Sequence, residues 1–321
     1  MKPTTRRLGL LLAALLLLWA AAPAWGAPFS FVAIADSQGN GHEPINGAVF
    51  SRIVQKILSL YPRPAFVLVA GDMVRGGAER HLSREVSLTR ELRAWQAASE
   101  PLRAAGIRLY CVPGNHEIWG TYAAERERAC RAVLGELQYA FAHQGSWFIG
   151  LNTDRPGKRR TPDLAWLGGQ LAAAKRAGAQ HVFVFGHEPA FPVTTASEGL
   201  RGAEGLWEQL VRHGADAYIC GHEHLYARTR RGGVYQVTTG GAGGSLLPIW
   251  GAEGFEVAVG THHLTVWRVD GARVEMRALA FNPSQDSWCQ IDSFAYTRES
   301  APRRAAPAPR PASAAKAALR P

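Results

Sequence analysis

Several apolar runs of this chain end in side chains that bind metal ions. FSFVAIA is followed by Asp36, AFVLVAG by Asp72, IRLYCVPG by Asn115 and His116, HVFVFG by His187, and AYICG by His222, Glu223 and His224. Imidazole, carboxylate and amide oxygen form a mixed nitrogen and oxygen donor set suited to Zn, Fe, Mn or similar divalent ions. Two carboxylates with three imidazoles exceed the needs of one ion, so a pair of ions sharing a bridging carboxylate is the economical inference. Two ions about 3.5 to 4 Å apart can orient and deprotonate a water while stabilising charge on a phosphoryl group. Singly, an Asp or Asn after a strand is a turn residue and a lone His an ordinary surface or core group. Repetition at five strand ends argues against that reading.

The elements that must position these residues are short Val, Ile and Phe-rich runs alternating with longer Ala, Leu and Arg-rich helical patterns. That alternation argues for an α/β organisation with largely parallel strand pairing in a single sheet. Ligands gather beyond the carboxyl ends of strands in such sheets, so residues far apart in sequence converge. Gly71, Gly114, Gly186 and Gly221 precede the candidate ligands, where a missing Cβ permits a sharp turn and close approach.

The 321 residues are 47% hydrophobic and 19% charged, enough to bury a sizeable core. Residues 1–26 read as a signal peptide: Lys2, Arg6 and Arg7 precede an apolar run from Leu8 to Ala22 and the small-residue stretch Ala24 to Ala27. An uncleaved anchor is the competing reading, but the run falls short of the roughly 20 residues a spanning helix needs. Residues 298–321 hold Ala, Pro and Arg with almost nothing to bury, and are expected to be a disordered tail. Leader and tail carry most of the net charge of +10, leaving about +2 for residues 27–297. A specific nucleic-acid groove in the body is therefore not expected, although the tail could touch polyanions without specificity. Cys111, Cys130, Cys220 and Cys289 fit no zinc-knuckle spacing; one disulfide is compatible with export, and Cys111 and Cys220 lie in apolar strand runs.

The motifs GDMV (71–74), GNHE (114–117), GHEP (186–189) and GHEH (221–224), in that order, resemble the calcineurin-like metallophosphoesterases and their purple acid phosphatase branch. The resemblance runs from Phe29 to about Ala280 and includes TPDLAWLGGQLAAAKRAG and TTGGAGG. It implies a four-layer α/β/β/α sandwich, two mixed β-sheets flanked by helices, in place of the single sheet. It also implies that Asp72 bridges two metals, that Asp36 and His224 hold the first, and that Asn115, His187 and His222 hold the second. His116 would be catalytic, stabilising the transition state or protonating the leaving oxygen, and a carboxylate could orient it. Glu117 would be structural.

The family's first motif is Asp-x-His, whereas here it is Asp36-Ser37-Gln38. In the purple acid phosphatase branch a tyrosine three places after the bridging Asp compensates; here that place is Arg75, so a purple iron site is not expected. Gln38 either donates its carbonyl oxygen, acceptable to hard ions such as Mn or Mg, or orients a metal-bound water. Either role implies a weaker first site.

These readings lead to an exported, periplasmic or secreted, dinuclear metal-dependent phosphoesterase. Its substrate would be a small phosphate mono- or diester or a nucleotide, hydrolysed by attack of a metal-bound hydroxide. The alternative is a non-catalytic binding protein on a degenerate version of the fold. Arg155, Lys158, Arg159 and Arg160 in the RPGKRR loop could meet an anionic substrate or remain solvated. His42, His262 and His263 match no motif, and Tyr226 and Arg228 are candidates to line the pocket.

Overall fold

In a computed structural model the described residues are 26–40, 43–77, 84–194, 197–249 and 251–298. Apart from Gly26 and Arg298, the leader and tail lie outside them, as does His42. The run FSFVAI forms β1 (Phe29–Ile34), paired in parallel with β2 (Phe66–Ala70), which pairs in parallel with β3 (Arg108–Val112). On the other side β1 meets the antiparallel strands β11 (His262–Asp270), β12 (Arg273–Asn282) and β13 (Ser287–Thr297). This six-stranded sheet has the order β13-β12-β11-β1-β2-β3.

The second sheet contains β4 (Tyr139–His143), β5 (Ser146–Leu151), β6 (His181–Gly186), β7 (Ala217–Cys220), β8 (Tyr226–Arg231), β9 (Val234–Thr239) and β10 (Val257–Val259). Its seven strands run in the order β10-β8-β9-β7-β6-β5-β4, with parallel pairing only from β5 to β9. The single, largely parallel sheet expected from strand patterning is thus corrected to two mixed sheets. A run such as Phe31 to Ile34 is buried on both faces, and periodicity does not reveal whether a helix or another sheet covers each face.

The alternation inside β1 and β2 shows the layers. Phe31, Ala33, Phe66 and Leu68 point between the sheets and pack with Phe148, Phe183 and Phe185. Val32, Ile34, Val67 and Val69 face the opposite side, where α1 (Gly47–Ser59) contributes Phe50, Ile53 and Ile57 and α2 (Arg84–Ala98) contributes Leu88, Leu92 and Trp95. The outer face of the second sheet packs on α5 (Leu164–Arg176) through Leu167 and Leu171 and on α6 (Ala203–His213) through Leu206 and Leu210. Short α3 (Glu100–Ala104) and α4 (Ala123–Leu134) complete the layer beside the first sheet. Two sheets in face-to-face contact between helical layers are the α/β/β/α sandwich.

Helix starts anchor the loops beyond the strands. Asn46 caps α1 by accepting from the Val49 N–H, while its amide donates to the Gly243 carbonyl in the glycine-rich loop after β9. Trp95 of α2 donates its indole N–H to Ser37, which donates in turn to the Met73 carbonyl, so a core side chain fixes the loops after β1 and β2.

Cys130 and Cys220 are buried, and all four cysteines are free thiols. Arg298, counted above with the tail, bonds Asp216 at 2.9 Å and belongs to the folded body. Among the described residues no helix is long and apolar enough to cross a membrane.

Candidate metal centre

The ends of β1, β2 and β3 in one sheet and of β6 and β7 in the other bring Asp36, Gln38, Asp72, Asn115, His116, His187, His222 and His224 into one cluster. Asp36, Asp72 and His222 have φ of 62°, 50° and 70°, a left-handed conformation that L-residues rarely adopt. That turn lets each strand end fold back toward the shared centre. The glycines account for the closeness: a Cβ on Gly114 would lie 2.2 Å from Asp72 Oδ1, and one on Gly221 would lie 2.4 Å from Asp36 Oδ2.

The hydrogen bonds divide the cluster into two groups of acceptors. His187 Nδ1–H donates to the Ala70 carbonyl at 2.9 Å, turning Nε2 toward Asn115 Oδ1 at 3.0 Å and Asp72 Oδ2 at 3.2 Å. His222 Nδ1 lies 2.9 Å from the same Asn115 oxygen. In the second group, His224 Nδ1–H donates to the Ser245 carbonyl at 2.7 Å and leaves Nε2 inward, 3.6 Å from Asp36 Oδ1. Asp36 Oδ1 is buried and has no hydrogen-bond partner among the described residues.

Gln38 completes the second group. The orientation that satisfies its amide has the nitrogen donating to the carbonyls of Asp72 at 2.8 Å and Asp36 at 3.3 Å, and the oxygen 2.9 Å from His224 Nε2. Two lone-pair donors in contact repel unless a cation lies between them. Asp72 Oδ2 lies 3.2 Å from His187 Nε2 and 3.3 Å from the end of the Gln38 amide, so it adjoins both groups, and the mixed nitrogen and oxygen donor set fits divalent metal ions.

His116 stands at the rim. Its backbone N–H donates to Asp72 Oδ1 at 2.8 Å, and its ring Nδ1–H donates to the Arg75 carbonyl at 2.7 Å. The orienting partner is therefore a carbonyl, not the carboxylate expected from sequence. Nε2 lies 3.9 Å from Asp72 Oδ2 and borders the cavity above the cluster.

Burial raises the Asp36 carboxyl well above its ordinary range. Burial acts the same way on Asp72, but His187 and His116 outweigh it and hold that group well below the usual range. On His187 burial opposes the charge, yet Asp72 and Asp36 raise its pKa well above 6.5. Burial lowers His222 to about 3 and also lowers His224.

Glu117 accepts the backbone N–H groups of Asp72, Val74 and Gly114 at 2.8 to 3.0 Å and braces the two loops, a structural role. Burial, followed by the charge on Asp72, pushes it up to about 7. Glu188 was missed by the sequence reading, although it stands inside GHEP. It is fully buried, neither carboxylate oxygen has a hydrogen-bond partner among the described residues, and Oε2 lies 3.5 Å from His222 Nε2. Such a carboxylate behind an imidazole sets which ring nitrogen carries the proton and turns Nδ1 inward. Burial pushes Glu188 up to about 8.

Other candidates fall elsewhere. Tyr226 and Arg228 both bond Asp292 and tie β8 to β13. His262 bonds the Gly241 carbonyl and His263 the Thr261 carbonyl, away from the ligands. Arg155 pairs with Asp163 and Arg160 with Glu198, so those two loop cations are structural.

This fold and site are those of a hydrolase acting on phosphoester bonds. A family model described as calcineurin-like phosphoesterase matches residues 29–226, and the chain belongs to that family. It is 30% identical over 244 residues to the human serine/threonine-protein phosphatase CPPED1, covering 66% of this chain and 73% of that protein. It is 35% identical over 106 residues to rat tartrate-resistant acid phosphatase type 5, covering 32% of this chain and 31% of that protein. Among solved structures, purple acid phosphatase PPD1 from yellow lupin superposes with a TM-score of 0.68 at 15% identity over 87% of this chain; the match spans only 55% of the lupin chain. GAP50, the anchor in the inner membrane complex of Plasmodium, superposes at 0.64 with 14% identity, covering 85% and 90% of the two chains. At these identities the superpositions show the fold.

Above pH 6.5 the folded, metal-free protein retains protons on Glu117 and Glu188, with values near 7 and 8, that unfolded carboxyls have released near 4.5. Folding then takes up protons, so stability falls as pH rises through that interval; proton loss from His187 acts in the same direction. His222, lowered to about 3, has the opposite slope but only below its ordinary 6.5. EDTA-treated protein is expected to melt at progressively lower temperature from pH 6.5 to about 8.5, with added Mn²⁺ reversing the loss. A flat or rising melting temperature over that interval would exclude this account.

Proposed function

We propose that this chain is an exported phosphoesterase that hydrolyses phosphate mono- or diesters at a site for two divalent ions. The observation that carries the reading is the convergence of two acceptor groups on Asp72, with the end of the Gln38 amide 2.9 Å from His224 Nε2 and Asp36 Oδ1 without a hydrogen-bond partner among the described residues. Gln38, Asp36 and His224 would hold one ion, and Asn115, His187 and His222 the other, with Asp72 common to both. Bound ions of this kind supply Lewis acidity toward phosphoryl oxygens and lower the pKa of water.

The remaining work falls to the chain. The cavity above the cluster is about 220 Å³ and is lined by Asn115, His116, Thr194 and Leu247, room for a phosphate group with its ester oxygen toward the opening. His116 keeps Nδ1–H on the Arg75 carbonyl, and as the imidazolium it carries a second proton on Nε2 that it can give to the departing alkoxide, leaving the neutral ring still bonded to Arg75. Its backbone bond to Asp72 fixes that nitrogen relative to the shared carboxylate. The name of the human relative makes phosphorylated Ser or Thr one monoester to assay. Export rests on the leader read over residues 1–26, which predicts a mature chain beginning at Ala27. The intact mass of protein recovered outside the cytoplasm checks this; a retained leader would count against it.

With Mn²⁺ and a chromogenic phosphate ester, His116→Ala is expected to lower kcat by about 10² to 10⁴, the range of general acid catalysis, with metal content retained. An unchanged kcat sinks the proton-donor role, and no turnover by the parent protein across metals and esters would favour the binding-protein alternative.

Titrating the stripped protein with Mn²⁺ is expected to show one tight and one weak site, because the neutral amide of Gln38 is a weaker donor than imidazole. Gln38→His should tighten the weaker site for Zn²⁺ in calorimetry. Two equally tight sites in the parent would contradict this assignment.

A further inference from the structure

Beyond His116 the cavity opens into a groove of about 540 Å³ lined by Arg75, Asn115, His116, Trp119 and Tyr122. Trp119 and Tyr122 are 55% and 50% exposed, and both line this one groove beside His116. They are not on a loose loop. Glu117 and Ile118, just before them, are buried and donate their backbone N–H groups to the Gly114 carbonyl, and Arg126 of α4 bonds the His116 carbonyl. The backbone leading to Trp119 is therefore tied to that of His116.

The cations nearby are distinguishable by what they hold. Arg155 and Arg160 are engaged in ion pairs, but the Arg159 guanidinium lies over the Trp119 ring, 4.8 Å from its centroid. Arg159 and Arg75 have no ion-pair partner among the described residues, and a second hollow of about 350 Å³ continues from Trp119 past Arg159 to Arg201. Exposed π-faces, a guanidinium on one of them and further positive charge along the groove suit an anionic ester whose leaving group carries a planar aromatic ring. A phosphopeptide would instead call for backbone hydrogen-bonding groups along the groove wall, and rings and guanidiniums dominate here.

We infer that the groove from His116 to Trp119, Tyr122 and Arg159 is a leaving-group subsite for a nucleotide, its base stacking on the aromatic pair. This rests on the phosphoesterase reading above and specifies its substrate class.

The test compares kcat/KM for adenosine 5′-monophosphate with that for glycerol 3-phosphate, which has no ring, in Mn²⁺-loaded full-length protein. Trp119→Ala and Tyr122→Ala are each expected to lower the ratio of the two by on the order of tenfold, through KM, as loss of base stacking does. Arg159→Met, with the ring intact, should give a smaller loss in the same direction. Melting temperature and metal content of each variant confirm that it folds. A ratio unchanged in all three variants, or a parent protein that prefers a phosphoserine peptide to the nucleotide, would overturn the subsite. If no ester is hydrolysed, the phosphoesterase reading fails separately, and calorimetry with adenosine 5′-monophosphate decides the subsite: binding weakened by Trp119→Ala supports it, and absent or unaltered binding refutes it.

Discussion

The constraint on which this structure depends is the burial of several acidic groups in one place. Asp36, Asp72, Glu117 and Glu188 are all at most 1% exposed. An isolated carboxylate in such surroundings is costly, so each must be neutralised by hydrogen bonds, by a neighbouring cation or by a proton. Glu117 has three backbone N–H donors, and Asp72 has His187 and the His116 N–H. Among the described residues Asp36 keeps one oxygen, and Glu188 both, without a hydrogen-bond partner. The compensation offered by these hydrogen bonds is therefore incomplete at Asp36 Oδ1, beside the inward-facing His224 Nε2, which is where a bound cation would supply the rest.

The sandwich holds that charge in place. Ligands from one sheet alone would need long loops to surround an ion, whereas strand ends from two facing sheets approach it from opposite sides within a few residues. The cost appears in the backbone, at the positive φ of Asp36, Asp72 and His222, and the surrounding packing supports it. Trp95 fixes Ser37 between Asp36 and Gln38, and Glu91 of α2 accepts the N–H groups of Gly76 and Gly77. Arg126 joins the His116 carbonyl to that of Gly76. The loops after β2 and β3 thus form one braced unit, although each is short of regular structure.

The cluster was legible in the sequence because its members all occupy one grammatical position, the first polar residues after an apolar strand. The partition into two sheets was not legible from strand patterning, since burial on both faces produces the same apolar run beside a helix layer or a second sheet. The motif resemblance supplied that division. Arg155, Arg159 and Arg160 look alike in RPGKRR, and only the three-dimensional contacts separate two ion-paired residues from one stacked on Trp119. Glu188 was overlooked for a related reason: a carboxylate after a ligand reads as solvated until its surroundings are known to be dry. Trp119 and Tyr122 gave no periodic signal, because exposed rings in a loop carry none.

Gln38 shows what a single departure from a motif can change. A histidine there would have to turn one nitrogen inward and find an acceptor for the N–H of the other. The carbonyls of Asp36 and Asp72 are already in place to accept, and the glutamine amide meets both with its two N–H groups, so its oxygen has one direction left, toward His224. In the proposed site the side chain would act as an oriented oxygen donor whose aim is fixed by the backbone carbonyls of Asp36 and Asp72. A neutral oxygen in that position weakens the preference for borderline ions such as Zn²⁺ and favours harder ones. It also leaves the charge of the ligand set unchanged, because amide and neutral imidazole are both uncharged. What differs is donor hardness at one position, with the shared carboxylate and the opposite group of ligands untouched.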